Sequence, residues 1–315
     1  MHAVVDRRLP ENYKSRLAER SELVDYLALA SFGIPRGFLV MLSQLLGVEE
    51  EDARPPTRAR AVEAVSDHAT SVRDLFSSLS AKLPRYKNFV EVGLELANES
   101  MRSIQSFNSR AARGQKRAVT VGFLDPLSQE VKRMLAMLEY AGAVRGAGDV
   151  SRGVKGVFHR YDVHYSLLID SNALSLGRSY ALSAVIDALS QRDSHQFVRV
   201  QPDRLLGENY HERCTLDLAP CQNCGAPRIS EDAQFCMRCG RQLSTVSVYD
   251  ELLKASIDNL PLTRKKLEGL QNHTSLRSVN DILTDEDNTQ LRSVPRVGPI
   301  WSARIKRYAE EFVSV

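Results

Sequence analysis

Apolar positions near the start of the chain recur with a helical period. Leu23, Tyr26, Leu27 and Ala30 follow the i, i+3, i+4, i+7 spacing that gathers side chains on one helical face. Gly33-Ile34-Pro35-Arg36 interrupts the pattern, and Phe38 to Leu46 resumes it as a second apolar helix. The acidic run Glu49-Glu50-Glu51-Asp52 and the pair Pro55-Pro56 then read as a surface connection. Helical periodicity returns from residue 57 to 110, broken at Pro84.

Further along, the period changes twice. Leu127, Val131, Met134, Leu135 and Leu138 form one helical stripe, with Asp125 placed to cap it, Pro126 suited to the first helical position and Gly142 placed to end it. A loop with Gly146, Gly148, Gly153 and Gly156 follows, then the β-prone Val157 to Val163. A helix followed by a two-stranded ribbon with a basic tip is the order of the third helix and wing of a winged helix-turn-helix. On that reading Lys132 and Arg133 lie on the polar face of the helix, and Arg152 and Lys155 lie at the wing. Residues 178 to 190 predict another helix, Phe197 to Val200 a short strand, and the body ends near Pro202.

Composition narrows the class. The 315 residues carry 42 Lys and Arg against 39 Asp and Glu, a formal net charge of +3, with 43% hydrophobic residues. That balance excludes a uniformly cationic nucleic-acid coat and fits a chain with packed cores and more than one domain. Charge is nevertheless uneven: between Arg102 and Arg160 stand eleven basic residues against four acidic ones. No apolar run has the length of a membrane-spanning helix, and the start lacks the apolar core of a signal peptide. The expectation is a cytoplasmic protein with no membrane partner.

All five cysteines fall between Cys214 and Cys239. Four form two Cys-x-x-Cys pairs, Cys221/Cys224 and Cys236/Cys239, each followed by a glycine, Gly225 and Gly240. Paired knuckles at this separation suit one tetrahedral ion, whereas the alternative is two independent redox motifs. Phe235 and Leu243 are expected to supply the small core. Residues 221 to 243 resemble the short zinc-ribbon family, which implies one structural Zn²⁺, because four sulfur ligands leave no open coordination position. His211 and Cys214 form a His-x-x-Cys pair that offers a rival ligand set or simply leaves a lone thiol.

At the C-terminal end, Leu291 to Ile305 contains Val297-Gly298-Pro299, with Gly269-Leu270, Leu276, Val279 and Ile282-Leu283 upstream. This segment resembles a helix-hairpin-helix module and the related compact domain of the bacterial RNA polymerase alpha subunit. The resemblance implies phosphate contact through the hairpin, by Arg296, Val297, Gly298, Ser302 and Arg304. It departs where the family commonly has glycine and this chain has Arg296. The same fold also serves protein contacts.

The helix, Gly33-Ile34-Pro35-Arg36 break and apolar helix, with the winged-helix pattern after them, resemble the lid and C-terminal part of origin-recognition-type AAA+ ATPases, over residues 5 to 200. That resemblance implies a nucleotide-sensing role for Arg36; a plain helix break is the alternative. The chain lacks the phosphate loop and acidic strand end of the ATPase core. Gly114-Gln115-Lys116-Arg117 has neither the spacing nor the hydroxyl.

The expected fold is therefore mainly α and multidomain. It comprises an AAA+ lid-like helical region (1–85), a winged-helix domain (86–205), a small β zinc ribbon (214–245) and a helix-hairpin-helix-like domain (250–315). The expected function is non-catalytic binding of duplex DNA. The alternative is a protein-interaction adaptor, or the C-terminal half of a split or truncated AAA+ ATPase that acts with a separate nucleotide-binding partner in a transcription or replication assembly.

Overall fold

The computed structural model describes residues 5, 7, 9–17, 20–47, 55–112, 115–177, 180–190, 196–228, 233–243, 252–295 and 297–313. It is mainly helical, with one small sheet and a cysteine cluster. The chain divides into two compact units, Met1–Ser78 with Asn88–Thr215, and Leu79–Lys87 with Leu216–Val315. Most of residues 1–85 and most of residues 86–205 fall in the first unit, while residues 79–87 join the ribbon and C-terminal segments in the second. Among the described residues no helix is long and apolar enough to cross a membrane.

The first unit begins with α1 (Glu11–Leu17), α2 (Ser21–Ala30) and α3 (Pro35–Leu46). The spacing of Leu23, Tyr26, Leu27 and Ala30 does what its period predicts, and all four are buried. Pro35 starts α3 because its fixed φ suits a first helical turn, where no N–H partner is needed. Two long helices follow, α4 (Arg58–Lys82) and α5 (Lys87–Ser109), separated at Pro84. The acidic run at 49–52 lies outside the described residues.

The sheet comes next, in the order β2-β3-β1-β4. Strand β1 (Thr120–Leu124) leads through α6 (Gln129–Tyr140) to β2 (Val144–Ser151) and β3 (Val157–Val163). Short helices α7 (Tyr165–Asp170) and α8 (Leu182–Ser190) then lead to β4 (Val198–Val200), which pairs parallel with β1. The other pairings are antiparallel. Among the described residues α6 is the one helix between β1 and β2. Val121, Phe123 and Val163 face Leu96 and Met101 of α5 and Leu135 and Leu138 of α6, which forms the core beneath the sheet. Helices α9 (Pro202–Leu206) and α10 (Tyr210–Arg213) carry the body past Pro202 to Thr215.

Helix α6 starts later than the sequence suggests. Ser128 is its N-cap, its Oγ accepting the Val131 N–H at 3.3 Å, while Asp125 precedes a cis bond to Pro126 and bonds elsewhere. A serine nearer the apolar stripe outcompetes the aspartate, because a capping oxygen reaches only the second or third N–H after it.

In the second unit, α11 (Arg264–His273), α12 (Val279–Thr284), α13 (Thr289–Ser293) and α14 (Pro299–Val313) enclose a core that includes Leu270, Leu276, Val279, Ile282, Leu291, Ile305 and Phe312. A capping box, Ser278 with Asp281, opens α12. The buried Asp285 carboxylate accepts the Gln290 and Leu291 N–H groups at 3.1 and 3.0 Å, capping α13.

Candidate metal centre and basic surfaces

The two Cys-x-x-Cys segments fold as matching knuckles. Gly225 N–H donates to Cys221 O and Gly240 N–H to Cys236 O, both at 2.8 Å, and both glycines take left-handed φ values of 69° and 70° that an L side chain resists. Cys221 N–H donates to Ala226 O and Cys236 N–H to Arg241 O, closing each turn. A short antiparallel bridge between Phe235 and Gln242 joins the second knuckle to its return strand.

This folding draws Cys221, Cys224, Cys236 and Cys239 together, with all four sulfurs within 4.8 Å of one another. Cys221 Sγ lies 3.7 Å from Cys239 Sγ, and Cys224 Sγ lies 3.6 Å from Cys236 Sγ. A tetrahedron of sulfurs about 2.3 Å from a central ion has edges of about 3.8 Å, so the four residues can hold a metal ion.

Their protonation points the same way. Backbone N–H groups at Cys239 and Arg238 hold the Cys236 thiol low, and the Arg241 N–H, with Asn223, draws Cys239 down to about 6. The Ala226 N–H also lowers Cys224, but partial desolvation and its three sulfur neighbours outweigh it and push that thiol up to about 12. Ionising all four thiols at these distances brings like charges together, so a bound cation would favour the fully ionised set.

Leu243 packs on this cluster as expected, but Phe235 does not: it is 56% exposed, and Ala226 takes the interior place. Cys214 and His211 are not among the four clustered residues. Cys214 is buried in the first unit with its thiol pushed up to about 11 by burial, and His211 pairs with Glu130 at 3.4 Å.

The basic residues expected around α6 and the wing are distributed unequally. Lys132 and Arg133 are exposed on α6, opposite the buried Val131, Met134, Leu135 and Leu138, and the Arg133 guanidinium sits over the Phe89 ring. At the tip between β2 and β3, Lys155 and Val154 are exposed. Arg152 instead turns back over the Phe197 ring, 5.3 Å from its centroid.

In the C-terminal hairpin, Gly298 and Arg304 are exposed, whereas Val297 and Ser302 are buried in the core. Ser302 Oγ donates to Pro299 O at 3.0 Å, so its side chain faces inward. Arg296 lies outside the described residues. Two cations approach the Trp301 ring, Lys266 Nζ at 3.4 Å and the Arg304 guanidinium at 5.1 Å from its centroid.

Arg36 is exposed in the first turn of α3. The break before it is fastened by Phe32, which takes a left-handed φ of 57° that is rare for a bulky residue. Its ring packs against His164 and Tyr165, with the Arg145 guanidinium 4.2 Å above it. Arg145, Arg160 and Arg199 have no role in the sequence-based reading of the sites. Only the alternation in Phe197-Val198-Arg199-Val200 hints at an outward Arg199.

Two histidines have opposite fates. His159 bonds Asp125 through Nε2 and Asp149 through Nδ1, each at 2.8 Å, and the two carboxylates raise its pKa. His164 is buried, accepts Ser166 Oγ–H at 2.8 Å on Nδ1, and is held down to about 3 by burial, His68 and Arg145. No protein-family model, curated protein or solved structure matches the chain.

Proposed function

We propose that the protein is a non-catalytic DNA-binding protein, with a winged-helix-like body, a zinc ribbon and a helix-hairpin-helix-like end. The observation that carries this reading is α6. Its apolar face is wholly buried, its opposite face presents Lys132 and Arg133, and it leads directly into the β2–β3 ribbon with Lys155 at the tip. A helix held this way can lie along a duplex while the ribbon tip touches the backbone beside it. Gly298 and Arg304 offer a second phosphate contact at the start of α14. The four thiols take Zn²⁺ as a structural ion that fixes the ribbon as a spacer or docking element.

The test is duplex binding as a function of salt. Affinity falls steeply as salt rises, and replacing Lys132, Arg133 and Lys155 together by alanine reduces the slope of log K against log salt by about 3, near 0.9 for each lost phosphate contact. No affinity for duplex, or an affinity indifferent to salt, overturns this reading.

One observation favours the second reading. The exposed Arg36 follows an anchored helix break, the position that completes a nucleotide site in the AAA+ lids this region resembles. If the chain is half of a split ATPase, Arg36→Ala lowers ATP turnover of the pair reconstituted with its nucleotide-binding partner and leaves duplex affinity unchanged. Unchanged turnover removes the split-ATPase reading.

A further inference from the structure

The outer face of the sheet, opposite α5 and α6, carries a second set of cations. Pairing registers place Arg160 of β3, Gly122 of β1 and Arg199 of β4 in one row across three strands. Directly opposed residues point to the same face, so both arginines leave the sheet on one side. Phe158 and Leu124 occupy the next row on that face, and Arg145, Asp162 and Thr120 the row on the other side.

Gly122 makes the arrangement possible. A Cβ there would lie 2.4 Å from the Phe197 ring, so only glycine lets that ring settle on the β1 backbone. Phe197 and Phe158 then pack with centroids 5.4 Å apart. Arg152 covers the Phe197 ring at 5.3 Å and Arg199 covers the Phe158 ring at 5.5 Å. Arg160 is held by the Ala147 and Gly148 carbonyls, at 2.7 and 3.1 Å. The carboxylate in these rows, Asp162, is bonded to Thr120 at 2.6 Å and paired with Arg145 at 3.7 Å.

We propose that this face binds single-stranded nucleic acid. Arginines seated over rings or held by carbonyls are restrained in position, and a guanidinium group can take a base on its face and a phosphate on its edge. Shape selects the single strand. Four strands at about 4.8 Å spacing span about 14 Å between outer axes, too broad for a major groove about 12 Å wide. A strand laid across the sheet instead reaches the arginine row with its bases unpaired. Arg160 and Arg199 take no part in the proposed duplex contacts, so the two readings can fail separately.

The experiment is fluorescence anisotropy of the zinc-loaded full chain with a labelled oligothymidylate and, separately, a labelled duplex. Arg199→Glu is expected to weaken oligothymidylate binding about tenfold or more, the loss of a stacked base together with a charge reversal. Arg199→Ala lowers the single-strand salt slope by about 0.7, one phosphate contact, and Arg199→Lys restores the slope without restoring full affinity. Duplex affinity stays unchanged in all three, and because Arg199 is exposed their thermal unfolding matches the parent chain. Absence of oligothymidylate binding, an undiminished affinity in Arg199→Glu, or an equal loss on duplex and single strand overturns the proposal. Binding of oligothymidylate without duplex binding leaves it standing and removes the duplex reading instead.

Discussion

The body buries Tyr26, Phe38, Phe76, Phe123, Leu96 and Ile104 almost completely, whereas the interior of the cysteine knuckles consists of sulfurs, Ala226 and the partly covered Leu243. The first is stabilised by apolar area removed from water, in proportion to that area. The second has too little area for that, and its four clustered thiols add repulsion once they ionise. The contrast sets two ways of fixing a short turn in space side by side: many weak contacts distributed over a core, or, on the proposed reading, one ion held by the four cysteines.

Removing the proposed metal is the strongest way to break the comparison. A structural zinc contributes about 10 kcal/mol or more to a small ribbon at neutral pH. Chelation, or Cys236→Ser, should unfold residues 221–243 and leave the main melting transition of the body in place. Thiol labelling reads this out residue by residue. Cys221, Cys224 and Cys239 become reactive within the chelated protein, while buried Cys214, its thiol pushed up to about 11, stays slow. Simultaneous loss of the body's transition would show that the ion supports both regions.

Acid tests the body next. His164 is held down to about 3, so between pH 6.5 and 3 the unfolded chain binds a proton that the folded chain refuses. Stability therefore falls as pH drops below about 6.5, by about 1.4 kcal/mol for each pH unit from this one group. Burial lowers His68 in the same direction. His164→Asn keeps an acceptor for the Ser166 N–H and should flatten the slope of unfolding free energy against pH, measured by urea denaturation of the metal-loaded protein. An unchanged slope would place the acid sensitivity elsewhere.

The smallest effect runs the opposite way. The Asp125 hydrogen bond and the Asp149 charge raise the pKa of His159, so its contribution is complete below about 6.5, the unfolded value, and fades as pH rises through the folded value. The difference in melting temperature between the parent chain and His159→Gln should therefore shrink from pH 6 to pH 9. A constant difference would mean that the bridge acts through packing alone.

Local signals carried much of this. The stripe around Tyr26 and Leu27 has a helical period, Pro84 breaks a helix wherever it falls, and the paired cysteines bring their own geometry. Ser302, named from the hairpin resemblance, is buried and with Ile305, Ala309 and Phe312 continues a helical stripe. What could not be read locally depends on partners far along the chain. The alternation in β4 hints at an outward Arg199, but nothing near it announces that Phe158 will lie beneath it. Asp125 looks like a helix cap until His159, 34 residues away, claims its carboxylate.

The parallel pairing of β1 with β4 also sets an order of events. Val121 meets Val198, Ser66 bonds Asp170 across 104 positions, and Arg58 reaches Tyr180 across 122, so the body cannot close until its last strand has left the ribosome. Contacts of such separation make folding slow, and the long α4 and α5 helices must wait with their apolar faces open. The knuckles, complete within residues 221–243, can assemble as soon as they meet an ion. During synthesis the knuckles, which emerge after the body, are thus poised to finish before it, and the vulnerable interval of this protein's life belongs to its body.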